Sequence, residues 1–178
     1  KNFAHFDTES VDEAAGLLRE GAGSSRIIAG GTDLLSVLKH KLEPDYPEQL
    51  VNIKTVEGLD HITADEEGLK IGAAAKLCDI AGSAQVNDGY EALAMAAKSV
   101  ATPLIRNLAT IGGNLCQDVR CWYYRYPDNI GGRLMCARKG GEECYAIHGR
   151  NQYHSVMGGM KAGITPCSAE CAAGTDIP

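Results

Sequence analysis

The fold prediction starts from nine residues near the N-terminus, Arg26-Ile27-Ile28-Ala29-Gly30-Gly31-Thr32-Asp33-Leu34. Residues 26–29 are mainly apolar and typical of a short buried strand. The helix predicted after the turn has one apolar side, formed by Leu34, Leu35, Leu38 and Leu42. A strand, a glycine turn and a helix in this order can offer free backbone N–H groups to a phosphate.

A second glycine turn lies about eighty residues further along the chain, in the stretch Ile105-Arg106-Asn107-Leu108-Ala109-Thr110-Ile111-Gly112-Gly113-Asn114. We interpret it as a β-branched run followed by a glycine turn at Gly112-Gly113. Glycine lets the main chain approach a ligand closely, so two such turns are candidates for holding a pyrophosphate between them. The alternative is two ordinary tight turns.

The rest of the first 115 residues alternates helix and strand patterns. Ser10 and Glu13 have the spacing of a capping box, which predicts a helix over residues 11–20 that stops at Gly21. The other predicted elements are a strand over 50–53, a hairpin of 61–64 and 69–72, and a helix over 90–101.

The cysteines are concentrated in the second part of the chain. Only Cys78 lies among the first hundred residues, where we predict a packing role, and Cys116, Cys121, Cys136, Cys144, Cys167 and Cys171 follow. An odd number without a secretory signal favours thiolate ligands over disulfides. Cys121, Cys136 and Cys144, followed by His154, are candidate ligands for zinc or an iron–sulfur cluster; free, partly buried thiols are the alternative.

Charge and hydropathy exclude several classes of protein. The chain has 17 Lys and Arg and 23 Asp and Glu, which gives a formal charge of −6. It has no stripe of basic residues that could bind nucleic-acid phosphates, so nucleic-acid binding is not expected as the main role. The sequence contains no run of about eighteen apolar residues, which is the length that would predict a membrane span. The first residues lack a secretory signal pattern, so we expect a cytoplasmic protein. No Ser/His/Asp arrangement suggests a hydrolase.

The two glycine stretches resemble the FAD loops of the FAD-binding subunit of the molybdenum hydroxylases, the xanthine dehydrogenase and carbon monoxide dehydrogenase type. Residues 28–34 are similar to the first loop, 105–115 to the second, and 71–75 to the connecting strand. The resemblance implies an α+β fold of two subdomains, 1–55 and 56–115, with FAD between them. The FAD-binding residues it implies are Ile28, Ala29, Gly30, Gly31, Thr32, Asp33, Leu34, Ala75, Ile105, Arg106, Thr110, Gly112, Gly113, Asn114 and Asp118.

Within that set, particular roles follow for a few side chains. Thr32, Thr110 and Asn114 are expected to help the backbone N–H groups hold the diphosphate. Asp33 is expected to cap its helix, and Asp118 to accept a hydrogen bond from the adenosine end of FAD. No catalytic acid or base is predicted.

The segment 116–158 resembles an inserted loop that carries a 4Fe-4S cluster in the flavin subunit of 4-hydroxybenzoyl-CoA reductase and in periplasmic-type aldehyde oxidoreductases. That pattern implies Cys121, Cys136 and Cys144 as ligands, and its fourth cysteine falls near Tyr153-His154, where this chain has none. His154 is the predicted fourth ligand because iron accepts imidazole, with Cys116 and Cys167 as alternatives.

The last segment, 159–178, resembles a linker followed by the start of the cluster-binding domain of glutamate-synthase small-subunit-like NAD(P)H oxidoreductases. The resemblances together predict a flavoprotein component of an oxidoreductase that passes electrons between a 4Fe-4S cluster, FAD and a partner. The partners implied are a molybdenum-cofactor subunit and a 2Fe-2S subunit, or a fused NAD(P)H domain. The alternatives are a zinc-stabilised interaction module without redox activity and a self-contained flavin dehydrogenase.

Overall fold

The computed structural model describes residues 2–128, 130–132, 134–152 and 154. These residues form five short strands and eight short helices. In chain order they are β1 (Ala4–Asp7), α1 (Val11–Glu20), β2 (Ser25–Ile28), α2 (Leu34–His40), β3 (Gln49–Asn52), β4 (Ile62–Asp65), β5 (Gly68–Ile71), α3 (Leu77–Gly82), α4 (Ala84–Gly89), α5 (Glu91–Ser99), α6 (Pro103–Arg106), α7 (Ile111–Leu115) and α8 (Tyr145–His148), with a 3-10 turn at Ala137–Lys139 before α8.

The first three strands form a parallel sheet with the order β1-β3-β2. Parallel strands need crossover connections: α1 connects β1 to β2, which lie on either side of β3, and α2 lies in the connection from β2 to β3. The central strand β3 is the most buried, with Leu50 and Val51 almost fully enclosed. The predicted strands over 26–29 and 50–53 are therefore confirmed, each shifted by one residue.

Helix α1 begins with the predicted capping box. The Glu13 N–H donates to the Ser10 hydroxyl at 3.1 Å, which satisfies one of the free N–H groups of the first turn. The Glu13 carboxylate accepts from the Glu9 N–H at 2.8 Å, one residue before the partner that the box predicts. Gly21 ends the helix, as expected.

Strands β4 and β5 form the predicted antiparallel hairpin, in which Ile62 pairs with Ile71 and Asp65 with Gly68. The hairpin packs against a core shared with α3, α4 and α5, and α5 is the helix predicted over 90–101. The core residues are small and aliphatic: Ala75, Leu77, Ile80, Ala81, Val86, Ala94, Ala97, Val100 and Ala109.

The second glycine stretch is largely helical, so the prediction of a glycine turn at Gly112-Gly113 is wrong. Helix α6 starts at Pro103, and the Thr102 hydroxyl accepts from the Ile105 N–H at 3.4 Å. Proline at the first position of a helix is favourable because its missing N–H has no partner there anyway. Gly112 and Gly113 then lie within the short helix α7.

The described residues cluster into two compact units. The first contains residues 2–32 and 45–115, and the second contains 33–44 and 116–154. The subdomain boundary expected near residue 55 stays a prediction, and the segment 159–178 with Cys167 and Cys171 lies outside the described residues. In the part of the chain that the structure describes, no helix has the length and apolar character needed to cross a membrane.

Candidate functional site

The two glycine motifs are in backbone contact within the first unit. A β-carbon on Gly30 would lie 2.2 Å from the carbonyl oxygen of Leu108 and 2.9 Å from Cα of Ala109. Only glycine permits so close an approach. The structure thus brings together two motifs that lie about eighty residues apart in the sequence, as a shared site requires.

The first motif has backbone donors to offer. Gly31 adopts a left-handed conformation with φ +71°, which favours glycine. No protein acceptor among the described residues binds the N–H groups of Gly30, Gly31 or Thr32. Successive N–H groups in such a turn form a concave site for an anion. This arrangement suits the predicted diphosphate-binding role of the first motif.

The second motif uses its own N–H groups for internal contacts. Those of Ile111 and Gly112 donate to the carbonyl oxygens of Ala75 and Ala73, both at 2.9 Å. Those of Gly113 and Asn114 donate to the side chain and carbonyl oxygens of Thr110. This motif therefore contributes its shape and its side chains to a ligand site rather than free N–H groups.

Asn114 is the clearest side-chain candidate of the second motif. The residue is buried, and its Oδ1 atom has no hydrogen-bond partner among the described residues. An unpaired buried oxygen is costly, so a ligand that donates a hydrogen bond here would be favoured. The other two predicted polar side chains of this motif have protein partners: the Arg106 guanidinium donates to the carbonyl oxygen of Val100 at 2.7 Å, and the Thr110 hydroxyl accepts from the Gly113 N–H at 3.2 Å.

An apolar pocket of about 760 Å³ adjoins α7 in the same unit. This volume is in the range of small-molecule and cofactor sites. Its lining combines the β4–β5 hairpin with Tyr90, Leu93 and residues of α7: Glu67, Gly68, Leu69, Ile71, Ala73, Tyr90, Leu93, Ile111, Gly112 and Leu115.

Asp33, the last polar residue of the first motif, has a different role from the one expected. It occupies the position before α2, but its side chain makes no capping hydrogen bond, so that prediction is wrong. Its Oδ1 atom accepts from Arg120 at 2.6 Å and from Arg125 at 2.8 Å. Its Oδ2 atom accepts from the Asp118 N–H at 2.7 Å. The Asp33 carboxylate oxygens accept hydrogen bonds from two guanidinium groups and one N–H group, and they therefore do not cap the N–H groups of α2.

Asp118 lies in the same network within the second unit. Its carboxylate accepts hydrogen bonds from the Val119 N–H, the Arg138 guanidinium and the Tyr124 hydroxyl. The adenosine contact expected for Asp118 would have to compete with these three donors. Burial and the Asp118 carboxylate together raise the pKa of Tyr124 far above its ordinary value, so this hydroxyl is a donor at physiological pH.

The second unit also brings the three predicted cysteine ligands together. Cys121 and Cys136 are buried in one cluster with Val119, Tyr124 and Ala146, and Cys144 packs against that cluster. Burial raises the pKa of the Cys121 thiol, and the proximity of Cys136 and Cys144 raises it further. Hydrogen bonds from the N–H groups of Tyr124 and Tyr123 act in the opposite direction.

His154, the predicted fourth ligand, has both ring nitrogens buried and without a hydrogen-bond partner among the described residues. The segment before it is fixed by two contacts: the Arg150 N–H donates to the Tyr123 hydroxyl at 2.7 Å, and the Asn151 side chain donates to the carbonyl oxygen of Ala146 at 3.0 Å. Of the alternative ligands, Cys116 is exposed. The alternative Cys167 lies outside the described residues.

Sequence reasoning missed the polar residues around these cysteines. Arg120, Arg125 and Tyr124 hold the turn that contains Cys121, and their only sequence signal is an excess of basic and aromatic residues in this segment. Among the described residues, no group of three or more His, Cys, Asp or Glu side chains is arranged so that it could hold a single metal ion.

The parallel sheet, the hairpin and the two contacting glycine motifs define an α+β domain, and the first motif has N–H groups without an acceptor among the described residues. Residues 1–123 match the family described as the FAD-binding domain in molybdopterin dehydrogenase. The chain belongs to this family. The fold prediction is therefore confirmed, as is the prediction of a flavoprotein component at the level of this family.

Individual relatives agree with this assignment. The chain is 34% identical over 173 residues to the aldehyde oxidoreductase FAD-binding subunit PaoB of Escherichia coli, an alignment covering 97% of this chain and 52% of that subunit. It is 37% identical over 116 residues to the nicotinate dehydrogenase FAD-subunit of Eubacterium barkeri, covering 65% and 38% of the two chains. The chain thus spans about half, or less, of the length of these curated relatives.

A solved structure gives the same result for the fold. Carbon monoxide dehydrogenase from Hydrogenophaga pseudoflava superimposes with a TM-score of 0.60 and 34% identity, over 64% of this chain and 39% of that one. The alignment with PaoB is longer than the others and must include the segment with Cys121, Cys136 and Cys144, since it spans 173 of 178 residues.

Proposed function

We propose that this chain is the FAD-binding, electron-transfer part of a molybdenum-hydroxylase-type oxidoreductase and that it also carries a 4Fe-4S cluster. The observation that carries the proposal is the clustering of Cys121, Cys136 and Cys144. These residues are separated by fifteen and eight positions in the sequence, yet they pack at one place in a chain that belongs to an FAD-binding family.

For FAD, the described residues provide complementary groups. The N–H groups of Gly30, Gly31 and Thr32 are available to the diphosphate, and Asn114 Oδ1 can accept from a hydroxyl or ring N–H group. The apolar pocket beside α7 suits part of an aromatic ring system. Bound FAD would exchange two-electron hydride equivalents with one-electron carriers, and no side chain of this chain has to act as an acid or base.

For the cluster, the donors match what iron–sulfur centres use. Three thiols and one imidazole supply four ligands. The N–H groups of Tyr123 and Tyr124 approach the Cys121 sulfur, and hydrogen bonds to ligand sulfurs are one way in which proteins set cluster potentials. The Arg138 guanidinium and the Lys139 ammonium lie 5.6 Å and 5.3 Å from the centroid of the Tyr124 ring. Positive charge there would stabilise an anionic thiolate centre.

The partners belong to the proposal as well. The relatives are named as subunits of dehydrogenases, which supports assembly with a molybdenum-cofactor subunit and an iron–sulfur subunit. A fused NAD(P)H domain is the alternative electron-transfer partner. A cytoplasmic location stays a prediction from the sequence.

The test is anaerobic purification followed by a visible spectrum and assays for flavin, iron, sulfide and zinc. We expect FAD together with about four irons per chain. His154→Ala should lower the iron content, whereas His148→Ala, an exposed histidine of α8, should not. Zinc in place of iron and flavin would refute the proposal and favour the interaction module.

A further inference from the structure

The first glycine motif ends in a residue whose contacts all lie in the cysteine-containing unit. Asp33 is largely buried, and its carboxylate binds Arg120, Arg125 and the Asp118 N–H. These partners lie 85 to 92 residues away in the sequence. Such long-range contacts require a defined tertiary structure and fix the segment that they reach.

The segment fixed by Asp33 is the turn that contains Cys121. Arg120 directly precedes this cysteine, and its guanidinium also donates to the carbonyl oxygen of Asp118 at 2.7 Å. Arg125 follows Cys121 and contacts the turn twice. Its side-chain Nε donates to the carbonyl oxygen of Val119 at 2.7 Å, and its backbone N–H donates to the carbonyl oxygen of Cys121 at 2.8 Å. One carboxylate therefore holds both arginines that shape the turn.

A second carboxylate completes the arrangement. Asp118 binds the Tyr124 hydroxyl, and the Tyr124 N–H approaches the Cys121 sulfur while its ring packs in the same cluster as Cys136. The position of Cys121 is thus determined by protein contacts that involve no metal ion. Groups that orient metal ligands in this way commonly change metal affinity 10–100-fold when they are removed.

We propose that Asp33 is a positioning residue for the cysteine centre: through Arg120 and Arg125 it preorganises the turn that presents Cys121 to iron. This inference rests on the proposed function for its metal. It assigns to a residue of the flavin motif a task outside flavin binding. Asparagine at this position would leave two guanidinium groups without their shared counter-charge, which loosens the turn.

The experiment compares Asp33→Asn with the wild-type chain and with Asp88→Asn, the same change at an exposed aspartate. Metal-free protein is treated with iodoacetamide, and alkylation of each cysteine is followed by mass spectrometry. We expect faster alkylation of Cys121 in Asp33→Asn only. The exposed Cys116 serves as an internal control and should react equally in all three proteins.

The same proteins are then reconstituted anaerobically with iron and sulfide. The iron concentration for half-maximal cluster absorbance should rise about 10–100-fold in Asp33→Asn, and the EPR spectrum of the reduced cluster should change. Arg125→Gln should have a similar effect. The loss in the double variant should be smaller than the sum of the two single losses, because the contact between Asp33 and Arg125 is removed in both single variants.

Different results overturn different statements. A wild-type chain that takes up no iron refutes the proposed cluster, while the alkylation of metal-free protein still decides whether Asp33 holds the turn. Cys121 that stays protected in Asp33→Asn, with or without loss of flavin, overturns the inference. Additive effects of Asp33→Asn and Arg125→Gln would overturn it too.

Discussion

The contact between the two glycine motifs makes a specific prediction for Gly30→Ala. The added β-carbon would lie 2.2 Å from the Leu108 carbonyl oxygen, whereas real β-carbons essentially never approach closer than 3.0 Å. The two backbone segments must therefore move apart by at least 3.0 − 2.2 = 0.8 Å. Overpacking of this kind costs about 1–3 kcal/mol of unfolding free energy, or about 2–12 °C in Tm for a chain of this size.

The same displacement separates the motifs that we propose to hold FAD, so flavin content should fall together with Tm. Gly16→Ala is the matched control: it lies inside α1, and no atom lies within 4 Å of its added β-carbon. There alanine should stabilise the helix by about 0.5–1 kcal/mol. Thermal unfolding and flavin per chain are measured for both variants. The reasoning fails if Gly30→Ala keeps the Tm and flavin of the wild-type chain while Gly16→Ala behaves as expected.

Three further predictions concern local contacts. Ser10→Ala removes the cap of α1 and should lower the unfolding free energy by about 1 kcal/mol, measured by urea denaturation; an unchanged midpoint would contradict it. The hydrogen bond from Lys70 lowers the pKa of Asp65, so its contribution to stability is present above the ordinary Asp pKa and is lost as the pH falls through the lowered value. An NMR titration of Lys70→Gln should show the Asp65 pKa moving up towards its ordinary value. Tyr123→Phe removes the acceptor of the Arg150 N–H and should speed hydrogen exchange at that amide, whereas Tyr126→Phe should not.

Local sequence patterns predicted most of the first unit because its elements follow short-range rules. The capping box of Ser10 and Glu13 gave the start of α1, and apolar runs gave β2 and β3 to within one residue. The turn predicted for the second glycine motif is instead helical: Pro103 with the Thr102 cap begins α6, and Gly112 and Gly113 lie in α7. Glycine is common in turns but does not by itself exclude a short helix whose N–H groups find acceptors, as those of Gly112 and Gly113 do.

In the candidate site too, the features that depend on local sequence were predictable and those that depend on long-range contacts were not. Cysteine spacing singled out Cys121, Cys136 and Cys144 as candidate ligands because thiols are rare and chemically distinctive, and the structure packs them in one cluster; their role as ligands stays a prediction. Nothing in the local pattern around Asp33 indicates two arginines almost ninety residues away, and the N-cap role predicted from its position was the best that local rules allow.

That contact changes how substitutions in the first glycine motif should be interpreted. Gly30 and Gly31 act through backbone conformation and close approach, whereas Asp33 acts through a carboxylate that holds the turn of Cys121. A chain that loses iron after a change at Asp33 has therefore not shown that flavin binding supports the cluster. Variants at Gly30 and Gly31 keep the Asp33 carboxylate, so they are the ones that test the glycine turn that we propose to bind flavin.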